Sequence, residues 1–159
     1  MTDRNHEHFT GEMPGNHTYQ MILIVVFLTV WIVDSFVLRF TTVLWDLIPI
    51  WIPILTAIAI FAAAAYFINA SQKTLFESHE TGVSTGGVYS RVRHPMYLGM
   101  VLVYLALATV TLSLAALAVW LFIFVAYDVM ASYEERLLKE RFGGEYIEYQ
   151  KEVRKWLPG

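Results

Sequence analysis

Long apolar blocks alternate with shorter polar segments along the chain. Residues 19–38 form the first apolar block, and residues 47–72 form a second one that contains no charged residue. A helix needs about 20 mainly apolar residues to cross the hydrocarbon core of a bilayer. The pattern therefore predicts two membrane-spanning helices. The alanine-rich residues 57–65 of the second block offer a smooth surface on which a neighbouring helix can pack closely.

A third apolar block, residues 95–127, carries no charge. At 1.5 Å per residue it would make about 50 Å of helix, well beyond a hydrocarbon core of about 30 Å. We therefore expect a hairpin of two helices that turns at residues 109–113, with one long tilted helix as the alternative. The pattern predicts an all-α polytopic membrane protein with about four transmembrane helices and a C-terminal amphipathic helical tail.

One domain is expected over residues 1–159. Residues 1–18 form a polar N-terminal arm, residues 19–132 hold the transmembrane helices and a polar loop at 73–94, and residues 133–159 form the tail. The tail should contain a second short helix at 145–153, after the Gly143-Gly144 pair. Lysine and arginine residues concentrate in the loop and the tail, which predicts that both lie on the cytoplasmic side.

Composition supports an integral membrane protein. The chain is 57% hydrophobic and 16% charged, with a mean hydropathy of +0.50, values too apolar for a soluble domain of this length. The absence of cysteine excludes a disulfide, a thiolate nucleophile and a cysteine-ligated metal. The net charge of −3 argues against a nucleic-acid partner. His6, His8 and His17 lie on the polar arm, where solvated side chains are expected and no metal site is.

Asp34 is the only charged residue within the first span. It lies near the end of that span, where its side chain can reach the interface. We expect it to pair there with Arg39.

The segment Arg93-His94-Pro95 opens the third apolar block. Pro95 suits the first position of a helix and His94 the cap before it, so the third span should begin here. A helix N-terminus favours an anionic group such as a carboxylate or a phosphate, and Gly86 and Gly87 allow a close backbone approach. Tyr97 can lie beside an adenine or a cation. The alternative is that the arginines and the histidine only anchor the span at the interface.

Two adjacent carboxylates, Glu134 and Glu135, lie near the same end of the fourth span. In a partly apolar setting they can hold hydroxyl groups, an ammonium or a sulfonium. The alternative is that they are solvated and pair with Arg91, Arg93 or Lys139.

The sequence resembles the superfamily of isoprenylcysteine carboxyl methyltransferases and phospholipid methyltransferases. Three motifs carry the resemblance: Arg-His-Pro-x-Tyr-x-Gly at residues 93–99, the Glu134-Glu135 pair, and Phe-Gly-x-x-Tyr-x-x-Tyr at 142–149. They occur in the family's order and span about residues 82–158. The resemblance implies a membrane-embedded methyltransferase that uses S-adenosyl-L-methionine on the cytosolic side, while a lipophilic acceptor enters from the bilayer.

The resemblance also implies which residues act. Arg93, His94 and Glu135 are the candidate catalytic residues. The candidate cofactor-binding residues are Gly87, Val88, Tyr89, His94, Pro95, Tyr97, Gly99, Glu134 and Glu135.

Several acceptors are compatible with the resemblance. The first hypothesis is the carboxylate of a prenylcysteine-like substrate, and the alternatives are the ethanolamine amine of a phospholipid and a small thiol. An amine must lose a proton, which requires a base such as His94 or a glutamate. A hypothesis of another class is a non-catalytic four-span membrane protein.

Overall fold

A computed structural model describes residues 15–77 and 83–157 of the protein. In these ranges five α-helices follow one another: α1 (Asn16–Ile32), α2 (Trp51–Glu77), α3 (Pro95–Thr111), α4 (Leu114–Phe142) and α5 (Gly144–Glu152). A π-helical turn, Val33–Leu38, continues α1, and 3-10 turns lie at Val43–Asp46 and Gly87–Ser90. The predicted all-α class is confirmed.

Three helical stretches in the described parts of the chain are long and apolar enough to cross a membrane: Asn16–Leu38, Trp51–Phe76 and Leu114–Phe142. A shorter apolar helix, Pro95–Thr111, has 17 residues. At 1.5 Å per residue it is about 25 Å long, close to the thickness of the hydrocarbon core. The polytopic architecture with about four spans is therefore confirmed.

Two helices extend beyond their predicted ends into polar sequence, and α2 begins at Trp51 rather than at residue 47. Helix α1 begins at Asn16, so residues 16–18 are helical and His17 lies in α1. Gly15 allows this early start because it takes the left-handed conformation, with φ 79°. Helix α2 continues to Glu77, so residues 73–77 of the predicted loop are helical. His6 and His8 lie outside the described residues.

The third apolar block is a hairpin, as predicted, and the alternative of one long helix is wrong. Helix α3 ends at Thr111, and Leu112 reverses the chain in the left-handed conformation, with φ 50°. Ser113 then caps α4, since its hydroxyl accepts a hydrogen bond of 3.0 Å from the backbone N–H of Ala116.

Asp34 joins α1 to this turn. Its carboxylate is buried and accepts hydrogen bonds from the backbone N–H of Thr41 (3.0 Å), the hydroxyl of Thr41 (2.6 Å) and the hydroxyl of Ser113 (2.6 Å). The predicted pairing with Arg39 is therefore wrong. The chain turns back after the π-helical turn, so neutral donors reach Asp34 first.

Helices α2 and α3 pack closely at Gly99. A methyl group at Gly99 would lie 2.6 Å from Cγ1 of Ile68 and 3.0 Å from the carbonyl oxygen of Ala64. The predicted packing role of the alanine-rich surface is thus confirmed at Ala64. Gly99 is needed because any side chain would push the two backbones apart.

The segment before α3 is held between α2 and α5. Gly87 has φ +57°, and a methyl group there would lie 2.5 Å from the hydroxyl of Thr74 on α2. The hydroxyls of Tyr89 and Ser71 are 2.8 Å apart, and the hydroxyl of Tyr149 on α5 donates to the carbonyl of Tyr89 at 2.6 Å. This loop therefore has a defined position relative to both helices.

We predict that Gly99→Ala lowers the thermal midpoint of the protein in detergent. Overpacking of a tight contact costs about 1–3 kcal/mol. Gly144→Ala is the matched control, because no atom lies within 4 Å of a methyl group at that position. Equal midpoints for the two variants would contradict the close contact between α2 and α3.

We also predict that Gly87→Ala loosens the loop whereas Gly86→Ala does not. The left-handed conformation costs a non-glycine residue about 1–2 kcal/mol, and the contact with Thr74 adds to that cost. Gly86 is extended, at φ −81° and ψ 170°, with open space beside it. Amide hydrogen exchange at residues 88–92 should be several-fold faster in Gly87→Ala alone, and identical exchange in both variants would disprove the effect.

Candidate functional site

The C-terminal tail lies along the loop that precedes α3. Val92 pairs with Arg154 in an isolated parallel bridge, and the backbone N–H of Arg93 donates to the carbonyl of Arg154 at 3.0 Å. The first turn of α3, the last turns of α4 and the tail therefore meet at one end of the helix bundle. The two separated motifs of the sequence form one site.

Glu135 of α4 lies at the centre of this site and is 9% exposed. One carboxylate oxygen accepts from Nε of Arg93 at 2.9 Å and lies 3.0 Å from Nε2 of His94. The other accepts from Nε2 of Gln150 on α5 at 2.8 Å. The expectation of a solvated Glu135 is wrong, although its predicted pairing with Arg93 is confirmed. A buried carboxylate needs such charged and polar partners.

Arg93 joins Glu135 to the tail. Its Nη1 atom donates to the carbonyl oxygens of Val153 at 2.7 Å and of Gln150 at 3.2 Å. The planar guanidinium thus bridges α4 and the end of α5 with bonds in several directions, which a lysine cannot do. Arg93 therefore links Glu135 of α4 to the tail.

His94 occupies the capping position of α3 and Pro95 its first helical position, as predicted. The His94 side chain makes no capping hydrogen bond to the helix. Its ring instead contacts Glu135 and lies 3.8 Å, through Nδ1, from Oε2 of Glu134. The ring also stacks on Tyr97, with centroids 5.8 Å apart and an angle of 8°. The start of α3 is therefore left without a side-chain cap.

Tyr97 connects α3 with α1 and α4. Its hydroxyl donates to the carboxylate of Glu134 and accepts from Nδ2 of Asn16 at 2.9 Å. The edge of Tyr127 packs against it, with ring centroids 5.3 Å apart. Sequence reasoning missed Asn16 because it stands in a polar segment without apolar periodicity, where nothing signals a buried residue.

Two tail residues close the site from the C-terminal side. Lys155 donates through Nζ to Oδ1 of Asp128 at 2.6 Å and to the hydroxyl of Ser132 at 2.7 Å. Trp156 donates to the same Asp128 oxygen at 2.7 Å, and its ring lies 5.3 Å from that of Phe124. It also lies 6.2 Å from the His94 ring. The Trp156 ring thus covers the apolar side of the site.

The remaining predicted site residues lie around this cluster. Val88 and Tyr89 belong to the loop that precedes α3 and packs between α2 and α5. Burial raises the pKa of the Tyr89 hydroxyl. Burial likewise raises the pKa of Tyr149, so its hydroxyl stays protonated at neutral pH and donates to the loop. Gly87 contacts α2, and Gly99 lies within the contact between α2 and α3.

Within residues 15–77 and 83–157, no group of three or more histidine, cysteine, aspartate or glutamate side chains is placed to hold a metal ion. The arrangement instead offers an uncapped helix N-terminus, an imidazole and two carboxylates beside aromatic rings. These groups can hold a ligand that carries both an anionic and a cationic part.

Comparison with known proteins agrees with this chemistry. A search of curated proteins gave no match to the chain. The sequence profile of a family described as phospholipid methyltransferase matches residues 42–145, well over half of the chain. The matched range contains His94, Tyr97, Glu134 and Glu135, and this family implies methyltransferase activity in a membrane. Both the match and the helical membrane fold lead to one conclusion: the chain belongs to the phospholipid methyltransferase family.

Proposed function

We propose that the protein transfers a methyl group from S-adenosylmethionine to a lipophilic acceptor at the cluster of His94, Tyr97, Glu134 and Glu135. The observation that carries the proposal is the meeting of the uncapped first turn of α3 with the two carboxylates of α4 beneath the tail. Interface anchors would instead be expected to point into water, whereas His94 and Glu135 are buried.

The donor set fits S-adenosylmethionine. The N-terminus of α3 attracts an anion, which suits the carboxylate of the amino acid part. Glu134 suits its ammonium or the ribose hydroxyls. Gly86 leaves a backbone that a ligand can approach closely, since a methyl group there would meet no atom within 4 Å.

S-adenosylmethionine supplies a methyl group that its sulfonium already activates. The protein then has to align the acceptor and exclude water. Trp156 and Phe124 form an apolar wall beside His94. The tail that carries Trp156 therefore serves to keep water from the reacting groups.

The charges of the cluster favour an amine as acceptor. Glu134 and Glu135 provide two carboxylates, while Arg93 is engaged with Glu135 and with two carbonyl groups of the tail. Two carboxylates thus face one guanidinium, and this excess of negative charge attracts a protonated amine headgroup more than a carboxylate. We therefore place the ethanolamine amine of a phospholipid ahead of the prenylcysteine carboxylate that ranked first from the sequence.

His94 is the residue placed to accept the proton of such an amine. Its Nε2 atom lies 3.0 Å from a carboxylate oxygen of Glu135, and this contact orients the ring. Glu135 thus acts through His94. Transfer of the proton to the imidazole frees the nitrogen lone pair of the amine for attack.

The site is proposed to face the cytoplasm. All of the 11 lysine and arginine residues except Arg4 and Arg39 lie in residues 73–94 or 133–159. This asymmetry follows the positive-inside rule. It places the site where a soluble, charged cofactor is available.

We predict that the purified protein in detergent binds S-adenosylhomocysteine in isothermal titration calorimetry. Glu134→Gln should weaken binding about tenfold, the loss expected for one hydrogen bond to a charged group. Glu140→Gln is the matched control, because Glu140 is on the same helix, solvent-exposed and paired only with Arg136 among the described residues. Absence of binding to the unmodified protein would refute the proposal.

A second prediction concerns the acceptor. Membranes incubated with methyl-labelled S-adenosylmethionine should carry label in a methylated amine headgroup. His94→Gln should lower the rate at neutral pH about 10²–10⁴-fold, as for loss of a general base, and the residual rate should rise with pH as more amine is deprotonated. Label in a base-labile ester would identify a carboxylate acceptor instead, and label in a thioether would identify a small thiol. Label in none of the three would support the non-catalytic hypothesis.

A further inference from the structure

A cavity of about 190 Å³ lies at the end of the bundle opposite the proposed methyl-transfer cluster, which consists of His94, Tyr97, Glu134 and Glu135. Its lining includes Ser35, Arg39, Thr42, Trp45, Asp46 and Thr111. Helix α3 separates the cluster from the cavity: His94, which precedes its first turn, belongs to the cluster, and Thr111 at its end lines the cavity. With 17 residues, α3 sets them about 25 Å apart.

The cavity lies at the level of lipid headgroups. The first membrane-crossing stretch ends at Leu38 and the second begins at Trp51. The residues between them leave and re-enter the apolar layer, so they stand at its boundary. Phe36, which lines the cavity, is 60% exposed, and Phe40, which follows Arg39 in the chain, is 80% exposed, as expected for side chains that face lipid tails.

Arg39 occupies a position that favours glycine. It follows the π-helical turn with φ 52°, in the left-handed region that costs a side chain free energy. A glycine would adopt this backbone conformation at a lower free-energy cost. We therefore expect the guanidinium of Arg39 to have a function. In the described parts of the chain, no ion pair joins Arg39 or Asp46 to another residue.

Thr111 offers an unused donor from the wall of the cavity. It is 7% exposed, and its oxygen accepts from Nε1 of Trp31 at 3.0 Å and from the hydroxyl of Ser35 at 2.9 Å. A hydroxyl can donate once in addition to accepting twice. Among the described residues no acceptor for its proton is found, so this hydroxyl can donate to an acceptor atom of a ligand in the cavity.

We propose that this cavity binds the headgroup of a zwitterionic phospholipid. Arg39 and the Thr111 hydroxyl hold the phosphate, and Asp46 with the ring of Trp45 holds the ammonium. The two unpaired charges of the cavity have opposite signs, which matches a ligand that carries both. Because the cluster is at the other end of the bundle, this lipid is distinct from the methyl acceptor.

Native mass spectrometry of the delipidated full-length protein tests the proposal by counting bound lipids. The probes are phosphatidylethanolamine, phosphatidylglycerol, diacylglycerol and free phosphoethanolamine. Arg39→Gln should weaken binding of one phosphatidylethanolamine and one phosphatidylglycerol about tenfold. Asp46→Asn should weaken only phosphatidylethanolamine, so its retained binding of phosphatidylglycerol also reports a folded protein.

Arg136→Gln is the matched control, since Arg136 is 67% exposed on α4 and lies outside the cavity. It should leave both lipids unchanged. Arg39→Gln should keep methyl transfer from labelled cofactor, which separates this lipid from the acceptor. Binding of diacylglycerol as tight as that of phosphatidylethanolamine, or an Arg39→Gln protein that behaves like Arg136→Gln, would overturn the proposal. Phosphoethanolamine that binds as tightly as the lipid would identify a soluble phosphate ester instead.

Discussion

The buried charge of Glu135 is the constraint on which this end of the molecule depends. A carboxylate near the end of a membrane-spanning helix is stable only where opposite charge and hydrogen-bond donors surround it. Arg93 comes from the loop, His94 from the cap of α3, and Gln150 from α5. Loss of one partner would leave an uncompensated charge, so the loop, α3 and the tail have to meet at α4.

The same contacts prepare the proposed chemistry. The bond to Glu135 sets the orientation of the His94 ring, and Tyr97 stacks on that ring while its hydroxyl contacts Glu134. Asn16 brings the start of α1 to the Tyr97 hydroxyl, although Asn16 lies outside the residues that match the family profile. The position of the Tyr97 hydroxyl, which belongs to a family motif, thus depends partly on a residue outside the matched range. Stability and the proposed catalysis share these side chains, which limits how freely they can be exchanged.

Much of the fold could be predicted from the sequence because apolar blocks and Pro95 determine the structure of their own segments. The spans, the hairpin and the start of α3 follow from hydropathy, length and the backbone of proline. The failures have a common cause, since Asn16 and Asp34 owe their positions to partners distant in sequence. Leu112 gave no signal either, because it turns the chain in a conformation that usually marks glycine. Gly99 was assigned to the cofactor by resemblance, and its contacts lie with α2.

The two ends of the bundle compensate buried carboxylates by different means. Neutral hydroxyls and a backbone N–H surround Asp34, whereas a guanidinium and an imidazole reach Glu135. Lipid gives helices little hydrophobic reason to associate, and only 17%, 17% and 28% of the apolar windows of the three long stretches are buried within the protein. Polar contacts at both ends, together with the close packing at Gly99, must therefore set the relative positions of the helices. The hydrogen bond between Asp34 and Ser113 holds the turn that joins α3 and α4. The spacing of these two helices at the proposed methyl-transfer cluster therefore depends on Asp34 as well.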